Sequence, residues 1–433
     1  MNNSAIAAPR GDIAAPRAMP RSKLYKLVVA ASIGNALEWF DLIVYGFFAI
    51  TISKLFFPTD NETVSLLLAL GTFAVSYLIR PLGALVLGSY ADRVGRKAAM
   101  LISIWLMMFG TFLIAIMPTY ETIGLLAPLG IFAARLLQGF SAGGEFGSAV
   151  ALLTEHVPER KGLISSFMFA SQGVSGLLGS GFGLLLTATL TTDQLESWGW
   201  RIPFLFGLLI GPVGLYIRRH IEEAGEFQAA EQVHAPAGEL FARHKLRMLL
   251  AVGALVLSTS VSYTIIYMPT YAVKQLGLTA SVGFAGTLLS GLILTVLTPF
   301  IGHLSDRYGR TRIMVGAALV FVLTIYPSFM WLAGNATLAT LLAVLFWLSF
   351  LKSLYFGGLP ALMSELFPTQ VRATGMALSY NIGTTVFGSF TPFFIAWLIG
   401  ATGNVMAPSF YLLVTGMLSF ITLLTIQSRL QMR

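Results

Sequence analysis

No cysteine occurs among the 433 residues, which excludes disulfides, thiol chemistry and a Cys-ligated metal. Charge is also scarce. Only 11% of residues are Asp, Glu, Lys or Arg, and no polar stretch is long enough to form a soluble catalytic domain. The five histidines (His156, His220, His234, His244 and His303) lie in loops without metal-ligand spacing, so no metal site is expected. No Gly-Lys-Ser/Thr ending follows a glycine-rich loop, which removes a nucleotide-binding reading.

Hydrophobic residues fill the remaining space. They make up 56% of the chain, and the mean hydropathy is +0.78, too apolar for a soluble globular domain. A helix needs roughly 20 apolar residues to cross about 30 Å of hydrocarbon. Twelve such runs occur, centred near residues 40, 78, 108, 138, 176, 210, 260, 292, 322, 351, 385 and 417. They are numbered here as spans one to twelve.

The net charge of +8 would suit nucleic acid if it formed one patch, but it follows the loops instead. Basic residues crowd the N-terminal tail, the loops after spans two, four, six, eight and ten, and the C-terminus. The opposite loops hold only Lys54, Arg201 and Lys274. This is the positive-inside pattern, and it places both termini in the cytoplasm. The first apolar run carries Glu38 and Asp41 and lacks a small-residue cleavage site, so it reads as a span rather than a signal peptide.

One piece of punctuation occurs twice. GSYADRVGRK (88–97) and GHLSDRYGRTR (302–312) each follow a long apolar run, with Asp92 and Asp306 lying 214 positions apart. Glu155-His-Val-Pro158 and Glu365-Leu-Phe-Pro368 repeat at a spacing of 210. Two homologous halves follow, as in transporters built from internal repeats. The expected division is a disordered tail (1–26), a six-helix bundle (27–218), a linker (219–245), a second six-helix bundle (246–428) and a short tail (429–433). The fold class is an all-α membrane protein of twelve transmembrane helices.

Six charges lie inside apolar spans, where each is costly unless it faces the interior. They are Glu38, Asp41, Arg80, Arg135, Glu145 and Lys352. Glu38 and Asp41 share a helix face with Gly34 and Tyr45, and Arg135, Gln138, Ala142 and Glu145 trace a stripe along span four. Fixed ion pairs between spans one, two and four are one reading; a transport pathway is the other. With the acids protonated the pathway is strongly positive and suits an anion; with them ionised the charges nearly balance. That is a physical route to coupling proton and anion movement. The five glycines of span five (173, 176, 179, 181 and 183) indicate close helix packing.

The doubled G-x-x-x-D-R-x-G-R/K loop resembles the Major Facilitator Superfamily, and Arg135-Leu-Leu-Gln138-Gly139 resembles its Arg-x-x-Gln-Gly motif of proton-coupled members. SIGNALEWFDLIVYGFF in span one, ARLLQGFSAGGEFGSA (134–149) and WGWRIPF (198–204) are similar to the metabolite:proton symporter family. GLLAP (124–128), Thr391-Pro392 and the 401–408 stretch are most like citrate and tricarballylate symporters, while dicarboxylate, shikimate and proline/betaine carriers share much of the wording. The second loop departs at Thr311, where a base is common, and span five lacks the Gly-Pro pattern of drug antiporters.

The resemblance implies a monomeric carrier in a bacterial inner membrane, with both termini cytoplasmic. It would import a small carboxylate such as citrate with protons, by alternating access and without a cofactor. Proline, betaine and shikimate are the alternative substrates. Arg135, Lys352 and Arg80, with Gln138, Tyr45 and Asn381, are the substrate-site candidates. Glu38, Asp41 and Glu145 are the proton-coupling candidates. Asp92, Arg93, Gly95, Arg96, Asp306, Arg307, Gly309, Arg310, Glu155, Glu365 and Arg372 form the expected conformational latch. A channel would lack the paired latches, a membrane enzyme would need a catalytic cluster that is not visible, and a sensor would need an appended signalling domain.

Overall fold

A computed structural model describes residues 21–94, 96–143, 150, 153–154, 157–208, 211–212, 240, 243–368 and 371–429. Side chains are described over these ranges except at 21–24, 26–27, 30, 88–89, 91–94, 96–100 and 158. Gly95, Glu145 and Glu155, the side chains of Asp92, Arg93 and Arg96, and nearly all of the tail and linker therefore lie outside the described residues.

The architecture is twelve transmembrane helices in two six-helix bundles. Among the described residues, eight helices are individually long and apolar enough to cross a membrane, from Glu62–Leu87 to Ala407–Arg429. Span one joins Ala31–Phe47 to Ala49–Phe56 through a 64° bend. Spans three and four appear as the shorter apolar helices Leu101–Ile116 and Leu126–Ser141. Large apolar side chains such as Leu85, Trp105, Phe109, Leu249, Phe300, Leu323 and Ile421 point outward, where hydrocarbon rather than water is their solvent.

Local sequence sets the ends and breaks. Asn61 starts span two, its Oδ1 accepting the Thr63 and Val64 N–H groups at 2.9 and 3.3 Å. Thr337 and Thr340 form a reciprocal capping box at the start of span ten. Gly309 separates spans eight and nine at φ 93°, a conformation that other L-residues rarely adopt. Span two breaks at Ile79, just before Arg80-Pro81. Proline has no N–H, so the Tyr77 carbonyl loses its i+4 donor. The Thr385 hydroxyl of span eleven donates to that carbonyl at 3.3 Å, beside a π-helical turn at Thr385–Ser389.

Glycines bring backbones together at two places. Spans two and four touch at Gly83, Gly139 and Gly143; a Cβ on Gly143 would lie 2.6 Å from Ala84 N. Spans five and eight run side by side across the two halves. A Cβ on Gly173 would lie 2.7 Å from Thr295 N, and one on Gly291 would lie 2.6 Å from Leu177 N. Further along the same line Gly162 meets Gly302. Gly173, Gly176, Gly181 and Gly183 of span five thus serve contact with the other bundle, while Gly179 packs on Ile43 and Phe47 of span one.

Candidate functional site

Span four delivers Arg135 and Gln138 into the first bundle, one helical turn apart and both fully buried. Arginine offers only donors, which orders everything around it. Its Nη1 donates to Gln138 Oε1 at 2.8 Å and its Nη2 to Ser76 Oγ at 3.2 Å. The guanidinium also lies over the rings of Tyr45 (4.5 Å) and Phe73 (5.1 Å), contacts that attract a cation. Tyr45 is itself fixed by donating to the Ala69 carbonyl at 3.2 Å. Nε of Arg135 has no hydrogen-bond partner among the described residues, and no described carboxylate lies within ion-pair distance of it.

Because Gln138 turns its oxygen toward Arg135, its amide nitrogen points away. That Nε2 donates to Thr111 Oγ1 of span three at 2.9 Å. Thr111 in turn donates to Asp41 Oδ2 at 2.9 Å. Asp41 and Arg135 are thus joined through two neutral side chains. Oδ1 of Asp41 is buried without a hydrogen bond, against Gly207 of span six, where a Cβ would overlap it.

Glu38 goes elsewhere. Its Oε1 is 3.6 Å from Arg80 Nη2, and the Arg80 guanidinium sits 3.9 Å from the centre of the Tyr77 ring. The two acids of span one therefore face different neighbours: Glu38 is ion-paired to span two, and Asp41 is hydrogen-bonded to span three.

Lys352 of span ten is buried in the second bundle, beside a small cavity lined by Leu257, Ser258, Val261, Ala317, Phe321 and Tyr355. Its ammonium lies 4.6 Å from the Phe356 ring, and Phe356 stacks on Phe169 of span five at 4.2 Å. The lysine thus stands next to the contact between the halves. No described carboxylate pairs with it. Asn381 bridges the halves as well, donating from Nδ2 to the Gly143 carbonyl at 2.8 Å.

At the face of the repeat loops, Asp306, Arg310 and Glu365 come together. Arg310 binds Asp306 at 2.9 Å and forms a second, short ion pair with Glu365. Asp306 accepts the N–H groups of Gly162 (2.8 Å) and Leu163 (3.0 Å), the first turn of span five, and Lys161 lies 3.8 Å from Glu365. A carboxylate there meets both free donors and the positive end of the helix. Arg372 donates from Nε to the Ser364 carbonyl at 2.8 Å, and Arg307 is exposed, outside the cluster. On the opposite face Glu62 and Lys274 form an ion pair between the halves. Sequence reasoning missed Ser76, Thr111, Lys161, Gly162 and Leu163; the last two contribute only backbone N–H groups, which leave no sequence signal.

The model of the Major Facilitator Superfamily matches residues 31–378. The chain is 38% identical over 390 residues to a citrate-proton symporter of Klebsiella pneumoniae, covering 89% of this chain and 88% of that one. It is 34% identical over 422 residues to a proline/betaine transporter of Escherichia coli strain K12, covering 94% and 84%. Among solved structures, the xylose transporter XylE from E. coli, in a partially occluded inward open conformation, superposes with a TM-score of 0.73. It covers 94% of this chain and 97% of that one at 15% identity, a likeness of fold.

Proposed function

Because this chain belongs to the Major Facilitator Superfamily, we propose that it is a proton-coupled symporter that takes up a small organic acid such as citrate. The halves 27–218 and 246–428, joined by 219–245 and with both termini in the cytoplasm of a bacterial cell, would rock about the central site. The observation that carries the substrate class is the pair of buried cations, Arg135 and Lys352, neither matched by a described carboxylate. A buried charge is retained where a partner arrives to offset its desolvation. A di- or tricarboxylate supplies separated anionic groups: Arg135 offers a planar fork and Lys352 a point charge. The relation to citrate-proton symporters supports this reading.

Proton coupling is assigned to Asp41 first, because it alone of the described acids in the spans has no ion-pair partner at hand yet connects to Arg135. Glu38 and Glu145 are further candidates. Asp306, Arg310 and Glu365, with Lys161 and the first turn of span five, would hold the cytoplasmic face shut and release it each cycle.

A zwitterion such as proline or betaine is the second reading. Trp39, Phe73, Tyr77 and Tyr263 gather with ring centres 5.7 to 6.0 Å apart, an aromatic surface suited to an ammonium group. Uptake of labelled citrate, proline and betaine into proteoliposomes, with and without an inward proton gradient, tests both. Gradient-driven accumulation of citrate alone is expected. Accumulation of betaine or proline without citrate would overturn the organic-acid assignment.

A further inference from the structure

Thr111 is buried in the second half of span three, between the two groups on which the proposed mechanism turns. Its oxygen accepts from Gln138 Nε2 at 2.9 Å. Its single hydrogen has two acceptors in reach: Asp41 Oδ2 at 2.9 Å and the Met107 carbonyl, one turn back in its own helix, at 3.1 Å. Serine and threonine hydroxyls make that backward bond readily.

The polarity of the chain leaves no other freedom. Arg135 can only donate, so Gln138 must present its oxygen to Arg135 and its nitrogen to Thr111. One lone pair of Thr111 is thereby committed. When Asp41 is ionised, the hydroxyl hydrogen is best placed on Oδ2, since a hydrogen bond to a charged acceptor is the stronger one. When Asp41 carries a proton, its own O–H can donate to the remaining lone pair of Thr111. The threonine hydrogen must then rotate to Met107. The oxygen then accepts two bonds and donates one, against one accepted and one donated when Asp41 is ionised, and one proton has been added, at Asp41.

We propose that Thr111 is a positioning residue whose hydroxyl switches between Asp41 and the Met107 carbonyl, and so transmits the protonation state of Asp41 to the Gln138–Arg135 pair. The proposal rests on the reading of Asp41 as the coupling acid. The charged group facing Asp41 among the described residues is Arg135 from span four; span three presents Thr111 and span six presents Gly207. Gly207 leaves Oδ1 without a donor, so Oδ2 is the oxygen whose bonding reports the charge.

The test compares Thr111→Val, which keeps the shape and removes the hydroxyl, with Thr111→Ser, which restores the hydroxyl. Purified proteins in lipid are examined by pH-difference infrared spectroscopy, and the same proteins in proteoliposomes are assayed with labelled citrate. The carboxyl band lost in Asp41→Asn identifies Asp41. In Thr111→Val that band should shift in frequency and in midpoint pH. Proton-driven accumulation should fall at least tenfold while counterflow exchange stays within about threefold of wild type. Thr111→Ser should restore both. An Asp41 band unmoved by Thr111→Val overturns the switch and leaves the coupling reading standing. The absence of any pH-dependent band attributable to Asp41 overturns the coupling reading and the switch together. Because the spectroscopic arm needs no transport, a variant that folds but does not turn over still decides the matter.

Discussion

Asp306 of one half closes the first turn of the helix that carries Gly162 of the other: the carboxylate accepts the Gly162 N–H at 2.8 Å and the neighbouring Leu163 N–H at 3.0 Å. The last turn of span eight, in the second bundle, thus caps the start of a span of the first. Hydrogen bonds to a charged group contribute about 1.5–3 kcal/mol each, and the helix dipole adds about 0.3–1 kcal/mol.

Asp306→Ala removes those bonds and one partner of Arg310. The joined arrangement of this face should lose about 3–6 kcal/mol, a population shift of at least tenfold. The chain has no native cysteine, so a single Cys at Ser166, which packs beside Gly302, reports the change. Its alkylation rate by a soluble maleimide should rise at least tenfold in the Asp306→Ala background. An unchanged rate would show that the contact does not hold the face closed.

Arg135→Lys should behave as a loss. Lysine retains the charge but cannot bridge Gln138 and Ser76 as a planar fork while lying flat over Tyr45 and Phe73. Citrate affinity, measured by titration calorimetry on purified protein, should drop at least tenfold with the thermal midpoint little changed. Wild-type affinity would exclude the guanidinium from the anion site.

Lys352→Met separates binding from folding. Replacing a buried ammonium that pairs with no carboxylate among the described residues by an apolar side chain of similar length removes a desolvation penalty. The thermal midpoint should stay level or rise, while binding of a di- or tricarboxylate is lost. Retained citrate affinity would return Lys352 to a structural role.

Gly302→Ala adds a methyl group where the Gly162 carbonyl and Ser166 already sit. Overpacking of this kind costs about 1–3 kcal/mol. Scanning fluorimetry should register a lower midpoint, and Gly316→Ala, where an added Cβ would meet nothing within 4 Å, should not. Equal midpoints would mean that spans five and eight can separate at no cost.

Orientation is checked in intact cells. Cys at Asp60, an exposed loop position opposite the repeat loops, should react with an impermeant reagent, whereas Cys at Ser4 or Ala235 should not. The reverse pattern would invert the assigned topology.

Much of this was legible before any coordinates. Runs of about 20 apolar residues give spans because an unpaired peptide group in hydrocarbon is intolerable, and the doubled loop gives two halves. The repeated spacing singles out Asp306, Arg310 and Glu365, and their meeting appears only in the fold. Their contact with Gly162 and Leu163 leaves no sequence signal, because any residue offers a backbone N–H. Glu38 and Asp41 illustrate a second limit. Residues three apart on a helix differ by about 60° in azimuth and about 4.5 Å in height, close enough to share a face and far enough to meet different helices. Which neighbour each acid meets depends on packing among spans one, two and three. Thr111 was hidden for a third reason: a single threonine in an apolar span usually bonds only to its own backbone, and the second bond appears only when Asp41 is brought alongside.

The line along which Gly162, Gly173, Gly291 and Gly302 meet bears on speed as well as stability. Helices joined by interlocking side chains can move past one another only if knobs leave their holes and rotamers hop. Along this line peptide groups meet peptide groups and short side chains such as Ser166, Thr295 and Ser305, which leave few knobs to unlock. If the halves rock as proposed, rotation about this line would meet low friction and the barrier to turnover would fall on the charged contacts at the two rims. Those contacts respond to ionic strength and to the charge of the cargo, whereas a smooth track responds to neither.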